Sequence, residues 1–349
     1  MFALSLTMTL GQTFTCKDAT PWDASYDGRQ NPANPASGGY VEWWFFTGFS
    51  AAADTGFAMT YDPSQRGVSF MLYEHAASDP SQARVINFAR SFPSVTVGAA
   101  NATQTFDSAT GVNVINQTTY EIRGVIDELR WKLTYRQAVP AAREHVDLAG
   151  VAKLDWISYM PSAVLSGWLE INGTKYDFSD GVGYHDHNSG KWPKHVVEGA
   201  SGAPISFDYK WGSLNGGDSG IGGVYGAYLL PKPLAEKSVD YVFVRAHGKR
   251  VEFGTLCGHK VKVTPRSFVT HSDGRKEATA MLITAESADW SLTWSHAMLS
   301  SAANPGGKGL GLVVYEQLSM HNLTLTQKST GQKFAETAAP GFTEWSDPA

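Results

Sequence analysis

The run Gly181-Val182-Gly183-Tyr184-His185-Asp186-His187-Asn188-Ser189-Gly190 holds two imidazoles, a carboxyl and a carboxamide in four consecutive positions, framed by glycines. Glycine permits sharp bends and close backbone approach. In extended backbone a His-x-His pair sends both imidazoles to one face. We therefore predict a cluster of proton donors and acceptors at a bend, where binding and catalytic groups concentrate. The alternative is a polar turn whose side chains cap its own backbone.

A second run, Tyr40-Val41-Glu42-Trp43-Trp44-Phe45-Phe46-Thr47-Gly48, predicts an aromatic strand that is apolar on both faces except at Glu42. A carboxyl among such neighbours is expected to be at least partly buried, which would suit it to donate a proton. The alternatives are an exposed edge position or a structural pairing with a buried Arg or His.

Together the two runs resemble the hydroxyneurosporene synthase family of two-domain, lipocalin-like proteins, the carotenoid 1,2-hydratases. They resemble more closely the fungal relatives of that family, the pericyclases often called Diels–Alderases. Those proteins carry an early Glu-Trp-Trp strand and a later Gly-Tyr-His-Asp-His-Asn segment. They also carry a hairpin with a Cys near its end and then a basic Val-x-Pro stretch, which here would be Tyr241 to Arg250, Cys257 and Val263-Thr264-Pro265-Arg266.

The resemblance covers roughly residues 40 to 320 and implies an all-β protein. We expect an N-terminal β-sandwich domain over residues 1–195 and a C-terminal lipocalin-like β-barrel domain over residues 196–349, with the link Leu230-Pro231-Lys232-Pro233-Leu234 as the alternative boundary. The family often has Trp after His-Asp-His-Asn, where this chain has Ser189. The smaller residue would enlarge or reshape the nearby pocket, so the identity of the ligand does not carry over.

The spacing of apolar runs independently predicts an all-β architecture, because short β-branched and aromatic segments recur about every ten residues between Gly, Pro, Asn and Asp. A short helix is plausible only within Ala138–Leu148, with Pro140 near its start. The predicted strands are Gly67–His75, Val112–Gly124, Leu129–Gln137, Ala163–Ile171, Gly223–Leu230, Ser238–His247, Lys276–Ala285 and Ser291–Leu299, followed by one long strand or two bent ones over Gly309 to Gln327.

The candidate site residues combine polar groups with aromatic walls. We predict catalytic roles for Glu42, His185, His187 and Asn188. The predicted substrate-binding residues are Trp44, Tyr61, Tyr184, Trp211, Tyr225 and Trp294, although most tryptophans of β-strands are simply core. His-x-His is also a common metal pairing, but no third ligand accompanies it in a recognisable motif. We therefore expect neither a metal nor another cofactor.

Composition narrows the range of partners. Charged residues make up 17% of the 349 residues, aromatics 12%, and the net charge is −5. Without a run of Lys or Arg, nucleic acid and anionic membranes are not expected partners. No apolar run reaches the ~18 residues of a membrane span. The composition favours a large β-rich core with an aromatic cavity. The resemblance implies a small apolar, polyketide or terpenoid substrate.

Several features favour a secretory or extracellular location over a cytoplasmic one. The stretch Met1 to Gly11 resembles the apolar region of a signal peptide, although it lacks a basic start and an ordinary first strand is the alternative. Cys16 and Cys257 are either two buried thiols or one disulfide, and we predict the disulfide. Four sequons predict glycosylation at Asn101, Asn116, Asn172 and Asn322.

Three functions of different classes follow from the resemblance and the residues. The leading one is a pericyclase of fungal secondary metabolism that catalyses a [4+2] cycloaddition, either Diels–Alder or hetero-Diels–Alder. One form would join a tropolone-derived quinone methide to a terpene. Such a reaction needs confinement and a few polarising hydrogen bonds rather than a nucleophile. The alternatives are a hydratase of an isoprenoid double bond, relying on Glu42 or Asp186 as acid, and a non-catalytic carrier of an apolar metabolite.

Overall fold

The computed structural model describes residues 27–28, 40–75, 78, 83–147, 153–191, 208–229, 238–304 and 312–348. These residues form two antiparallel sheets, each curled into a half-barrel, and no α-helix occurs among them. None of the described segments is a helix long and apolar enough to cross a membrane. The all-β prediction is therefore confirmed.

The first sheet contains all described strands up to Lys191, in the order β4-β3-β2-β1-β13-β11-β9-β8-β7-β6-β5, with β10 and β12 also paired to β11. Its strands are β1 (Tyr40–Ser50), β2 (Thr55–Asp62), β3 (Gly67–Glu74), β4 (Arg84–Ser91), β5 (Thr96–Val97), β6 (Gln104–Thr105), β7 (Gly111–Asn116), β8 (Thr119–Ile126), β9 (Leu129–Val139), β10 (Ala142–Asp147), β11 (Lys153–Ile171), β12 (Thr174–Asp177) and β13 (Val182–Lys191).

The second sheet begins at Asp208 and has the order β17-β16-β15-β14-β22-β21-β20-β19-β18. Its strands are β14 (Asp208–Asn215), β15 (Ile221–Leu229), β16 (Ser238–Ala246), β17 (Lys249–Gly254), β18 (Lys260–Thr270), β19 (Lys276–Glu286), β20 (Trp290–Asn304), β21 (Leu312–Gln327) and β22 (Lys333–Pro348). The expected domain boundary at residue 195 lies in the segment 192–207, outside the described residues, and stays a prediction.

Three apolar cores follow from the alternation of side chains along these strands. One lies inside the first sheet and one inside the second. The third contains side chains from both sheets, among them Phe45, Tyr184, Trp211 and Phe342, and so lies between them. Its aromatic rings contact one another across the boundary, because Trp211 packs against both Phe45 and Tyr184 at centroid distances of 5.8 and 5.1 Å.

Polar contacts also join the sheets. The Tyr73 hydroxyl donates to the Glu316 carbonyl over 3.0 Å, and the Gly217 amide donates to Ser162 Oγ over 2.9 Å. The first of these bonds is buried and links residues 243 positions apart. The two sheets are therefore joined by polar contacts as well as by the apolar core between them.

Two sequence predictions need correction. The segment Ala138–Leu148 holds no helix in its described part, because β9 ends at Val139 and Ala142–Asp147 pairs with β11 as a strand. Pro140 has no amide hydrogen to donate and lies between these strands. The predicted strand Val112–Gly124 is a hairpin, with β7 ending at Asn116 and β8 beginning at Thr119.

The run from Gly181 to Gly190 is also not a bend. It forms β13, which lies in the middle of the first sheet between β1 and β11. Gly183 allows Leu165 and the Thr47 backbone to approach β13 closely. A Cβ at this position would lie 2.3 Å from Leu165 Cδ1 and 2.6 Å from the Thr47 carbonyl oxygen. The polar residues of the run are consequently held by strand pairing and not by a loop.

Candidate active site

The alternation of β1 and β13 divides the predicted catalytic residues between two faces. Glu42, His185 and His187 point into the first sheet, where Trp44 and Phe46 also lie. Asn188 points the opposite way and donates to Asp186 over 2.8 Å. The four residues therefore belong to two separate clusters.

The inner cluster consists of Asp27, Glu42, Tyr120, His185 and His187. His185 Nε2 lies 2.9 Å from Asp27 Oδ2, which also accepts the Tyr120 hydroxyl at 2.7 Å. His187 Nε2 lies 3.0 Å from Glu42 Oε1, and its Nδ1 lies 3.6 Å from Asp27 Oδ1. All five side chains are buried.

The donors and acceptors of the inner cluster show how its side chains are hydrogen bonded to one another and to the backbone. His185 Nδ1 faces the Phe45 carbonyl at 3.0 Å and must donate to it, because a carbonyl oxygen only accepts. One further proton is then shared between His185 Nε2 and Asp27. Trp44 stacks on His187 and Phe46 on His185, each with a centroid distance of 4.0 Å. Rings cover both imidazoles, and Asp27 Oδ1 and His187 Nδ1, 3.6 Å apart, have no hydrogen-bond partner among the described residues.

The inter-sheet cluster lies on the other face of β13 and has a first-sheet half and a second-sheet half. In the first half, Asp186 Oδ2 accepts hydrogen bonds from the Tyr184 hydroxyl and from Trp156 Nε1, each at 2.7 Å. Asp186 Oδ1 accepts the Asn188 amide. A buried carboxyl with three donors is thus fixed in one orientation.

The second-sheet half is a row of residues across three neighbouring strands. Trp211 on β14 lies opposite Glu344 on β22, which lies opposite Glu316 on β21. The Tyr209 hydroxyl donates to Glu344 Oε2 over 2.7 Å, and Asn304 Nδ2 donates to Glu316 Oε1 over 2.9 Å. Tyr209, Asn304 and Glu344 are partly exposed, so this end of the cluster reaches solvent.

The three carboxyls of the inter-sheet cluster have raised pKa values, and Glu316 is the one that favours its protonated form near neutral pH. Burial raises the pKa of Asp186 to about 6, and burial together with the Asp186 charge raises the pKa of Glu344 to about 7. Burial and the Glu344 charge raise the pKa of Glu316 well above its usual value. Neutral carboxyls can donate a hydrogen bond or a proton, which an ionised carboxylate cannot.

Two polar atoms of the inter-sheet cluster have no hydrogen-bond partner among the described residues. They are Trp211 Nε1 and Glu316 Oε2, and both are buried. Buried donors and acceptors are nearly always paired in folded proteins, so unpaired ones need an explanation. Trp211 Nε1 is a donor, and Glu316 Oε2 is a donor when its carboxyl is protonated, so both atoms would be satisfied by hydrogen-bond acceptors.

The predicted substrate-binding residues lie in three places. Trp44 and Tyr61 point into the first sheet, where Tyr61 accepts Trp131 Nε1 and donates to the Arg123 carbonyl. Tyr184 and Trp211 belong to the inter-sheet cluster. Tyr225 and Trp294 lie inside the second sheet. Ser189 lies opposite Glu42 in the β1–β13 register, on the inner face, and so does not shape the inter-sheet cluster.

The modification sites are only partly described. Asn116, Asn172 and Asn322 are exposed and Asn101 is partly buried, which leaves glycosylation a prediction. Cys16 lies outside the described residues, and its disulfide with Cys257 also stays a prediction. Within the described part of the chain, no group of three or more His, Cys, Asp or Glu residues is arranged to hold a metal ion.

Sequence reasoning missed Asp27, Trp156, Tyr209, Glu316 and Glu344. No local pattern marks Asp27, which becomes important only through partners on distant strands. For Glu316 and Glu344 a signal does exist, since each carboxyl interrupts an apolar face of a long alternating strand near the chain end. Trp156 is an aromatic residue of a strand, which is the feature that led us to predict Trp44, Trp211 and Trp294 as substrate-binding residues.

Comparison with known proteins supports the fold. No protein-family model matches the sequence, and no curated protein matches it. Among solved structures, CghA aligns with a TM-score of 0.62 and 11% identity over 95% of this chain and 94% of that chain. CghA with Sch210972 gives 0.59 and 11% identity, with 89% of each chain covered. Kievitone hydratase from Nectria haematococca gives 0.57 and 11% identity, covering 95% of this chain and 94% of its own.

These comparisons define the class of fold: the chain shares the two-sheet, all-β architecture of kievitone hydratase and CghA over nearly its whole length. The lipocalin-like fold expected from the motif resemblance is thereby confirmed. At 11% sequence identity, these similarities establish the fold and do not establish the activity or the substrate.

The raised pKa values of the inter-sheet carboxyls predict how stability depends on pH. Folded Asp186 and Glu344 keep their protons up to about pH 6 and 7, whereas unfolded carboxyls lose them near their usual values of 3.8 and 4.5. The folded state therefore binds more protons between about pH 4 and 7, and the free energy of unfolding from these groups falls as pH rises through that window.

Denaturant unfolding of the wild type and of the double variant Asp186→Asn, Glu344→Gln at several pH values measures this contribution. We expect a flatter pH dependence in the double variant, because both titrating groups are gone. Equal slopes for the two proteins would show that these carboxyls titrate normally.

Proposed function

We propose that this chain is an enzyme that closes a ring by a [4+2] cycloaddition on a small apolar polyketide or terpenoid substrate bound at the inter-sheet cluster. The observation that carries the proposal is the pair of unpartnered buried atoms, Trp211 Nε1 and Glu316 Oε2. Trp211 contacts the aromatic rings of Phe45, Trp156 and Tyr184, and Glu316 lies two strands away in the same sheet, beyond Glu344. A hydrogen-bond donor beside an apolar wall suits a substrate with one polarisable oxygen.

The chemistry needs little more than this arrangement. A concerted [4+2] cycloaddition converts three π-bonds into two σ-bonds and one new π-bond and neither gains nor loses an atom, so it needs no co-reactant. Confinement in a reactive geometry lowers its entropic barrier. A neutral Glu316 carboxyl and the Trp211 N–H would donate to a carbonyl oxygen conjugated with the reacting π-system. Donors fixed in a dry site stabilise developing charge without reorganisation.

A hydratase is the second candidate, and the raised pKa values of Asp186, Glu316 and Glu344 favour it. In this reaction a carboxyl protonates one alkene carbon, water adds to the other, and the resulting oxonium returns a proton to a carboxylate. Acids with pKa values near the working pH are suited to such transfers. The name of kievitone hydratase, which shares the fold, supports the same candidate.

Incubation with a tropolone-derived quinone methide and a cyclic terpene, followed by mass spectrometry, tests the proposal. We expect an adduct whose mass equals the sum of the two substrates, formed faster than without protein. Each substrate is also incubated alone. A product heavier by one water would instead establish the hydratase, and unchanged substrates bound with measurable affinity would indicate a carrier.

We also propose that the chain passes through the secretory pathway, with Cys16 and Cys257 joined and its sequons glycosylated. The exposure of Asn116, Asn172 and Asn322 supports this, because an acceptor asparagine must be accessible. Loss of mass on deglycosylation of material from the native host checks it, and an unchanged mass contradicts it.

A further inference from the structure

Strand β13 carries buried ionisable groups on both of its faces. His185 and His187 point into the first sheet, where they stack on Phe46 and Trp44, and the residue between them, Asp186, points to the inter-sheet cluster. All three ionisable side chains are buried. Neighbouring Cα atoms lie about 3.8 Å apart, so a single strand of backbone separates the inner cluster from this carboxyl. Charges are poorly screened in a buried site, and a charge on either imidazole therefore acts on Asp186.

The contacts of His187 fit its positively charged form. Its Nε2 lies 3.0 Å from Glu42 Oε1, and its Nδ1 lies 3.6 Å from Asp27 Oδ1. Both ring nitrogens therefore face carboxyl oxygens, which only accept when the carboxyl is ionised. A neutral imidazole has one N–H, whereas an imidazolium has two. The charged ring is the form that presents an N–H to each of the two carboxylates.

His185 is placed in a similar way. Its Nδ1 donates to the Phe45 carbonyl, and its Nε2 lies 2.9 Å from Asp27 Oδ2. In the ion-pair form of this contact the positive charge is on the ring, which belongs to β13, and the negative charge is on Asp27, beyond the ring. Seen from Asp186, the positive end of the inner cluster is thus the nearer end.

The remaining ionisable groups that face Asp186 carry no positive charge. Tyr184 on β13 stays neutral, because burial and the Asp186 charge raise its pKa well above the usual value. Glu344 on β22 and Glu316 on β21 face Asp186 from the second sheet, and a negative charge on either disfavours its ionisation. Among the described groups that act on Asp186, the two imidazoles lower its pKa, whereas burial raises it to about 6.

We propose that the imidazolium rings of His185 and His187 favour the ionised form of Asp186 across β13. Asp27 and Glu42 keep the two rings charged. The histidines are then positioning residues, which set the charge of the inter-sheet cluster without contacting a substrate. This inference rests on the proposed function in one respect, because Asp186 belongs to the cluster at which we place the substrate.

The titration of Asp186 in the full chain without substrate tests the proposal, followed by the 13C resonance of its carboxyl. The wild-type midpoint is expected near pH 6. His187→Phe removes one positive charge and keeps a ring against Trp44. The midpoint should then rise by roughly 1 pH unit, as expected for one unit charge about 10 Å away at an effective dielectric constant of about 20. The sign is the same whether Glu42 keeps its charge in this variant or takes up a proton.

His296→Phe is the matched control, because it removes a buried imidazole from the second sheet. Burial lowers the pKa of His296 to about 3, so this ring is neutral when Asp186 titrates. The control should leave the Asp186 midpoint unchanged. An equal rise in both variants would show that loss of packing moves the midpoint, and it would overturn the proposal.

A measurement on the wild-type protein covers the case in which His187→Phe does not fold. The ring 15N resonances of His187 should show a proton on both nitrogens at pH 6. A neutral His187 at this pH overturns the proposal, as does an Asp186 midpoint in His187→Phe that equals or lies below the wild-type value. Since neither experiment contains substrate, these results are independent of whether the proposed cycloaddition is observed.

Discussion

Glu316→Leu is expected to slow turnover by about 10²-fold or more, which is the usual effect of removing one well-placed hydrogen-bond donor from a preorganised site. Leucine fills a similar volume but offers neither a proton nor a hydrogen bond. The Asn304 amide, which now donates to Glu316 Oε1, is partly exposed and can turn to water. Single-turnover rates at fixed pH measure the effect, and Glu286→Leu on the exposed face of the same sheet is the matched control.

Glu316→Gln then separates the two candidate reactions. Glutamine keeps an N–H that can polarise a carbonyl oxygen, but it cannot transfer a proton. A cycloaddition should therefore retain much of its rate in Glu316→Gln, whereas a hydration should be slowed as severely as in Glu316→Leu. Wild-type rates in both variants would remove Glu316 from the site.

Asp27→Ala is expected to reduce the free energy of unfolding by about 2–6 kcal/mol, because two buried hydrogen-bonding groups lose their partner and each costs about 1–3 kcal/mol when left unpaired. The change leaves His185 Nε2 and the Tyr120 hydroxyl without the carboxyl that both contact. Asp218→Ala is the control, because Asp218 forms an exposed pair with Arg136 at 3.1 Å, and such pairs contribute about 0–1 kcal/mol. Denaturant unfolding of the three proteins gives both values.

The same variants decide what the inner cluster does. If it is structural, Asp27→Ala lowers stability while the folded fraction keeps its turnover rate. If turnover is lost at unchanged stability, the inner cluster is catalytic, as the sequence suggested for Glu42, His185 and His187. A destabilisation below that of Asp218→Ala would contradict the network described for Asp27.

Much of the fold follows from local patterns in the sequence. The strand predicted over Tyr40 to Gly48 is present as β1 (Tyr40–Ser50), and His185 and His187 share one face as predicted, since strand periodicity depends only on neighbouring residues. The same periodicity places Asp186 and Asn188 on the opposite face, a consequence that the sequence prediction overlooked when it grouped Asn188 with the histidines.

The rest of the site depends on contacts between residues far apart in the chain. Asp27 meets His185 across 158 positions, and Tyr73 meets Glu316 across 243. The row Trp211, Glu344 and Glu316 exists only because β22 inserts between β14 and β21. Strand order of this kind is set by packing of whole sheets, and hydrophobic periodicity carries no information about it.

A crystal structure of the protein with its reaction product tests the proposed site most directly. We expect the product between the two sheets, with one oxygen within hydrogen-bond distance of Trp211 Nε1 and Glu316 Oε2. Product bound inside the first sheet against Glu42 and His187, with the inter-sheet cluster unoccupied, would contradict it.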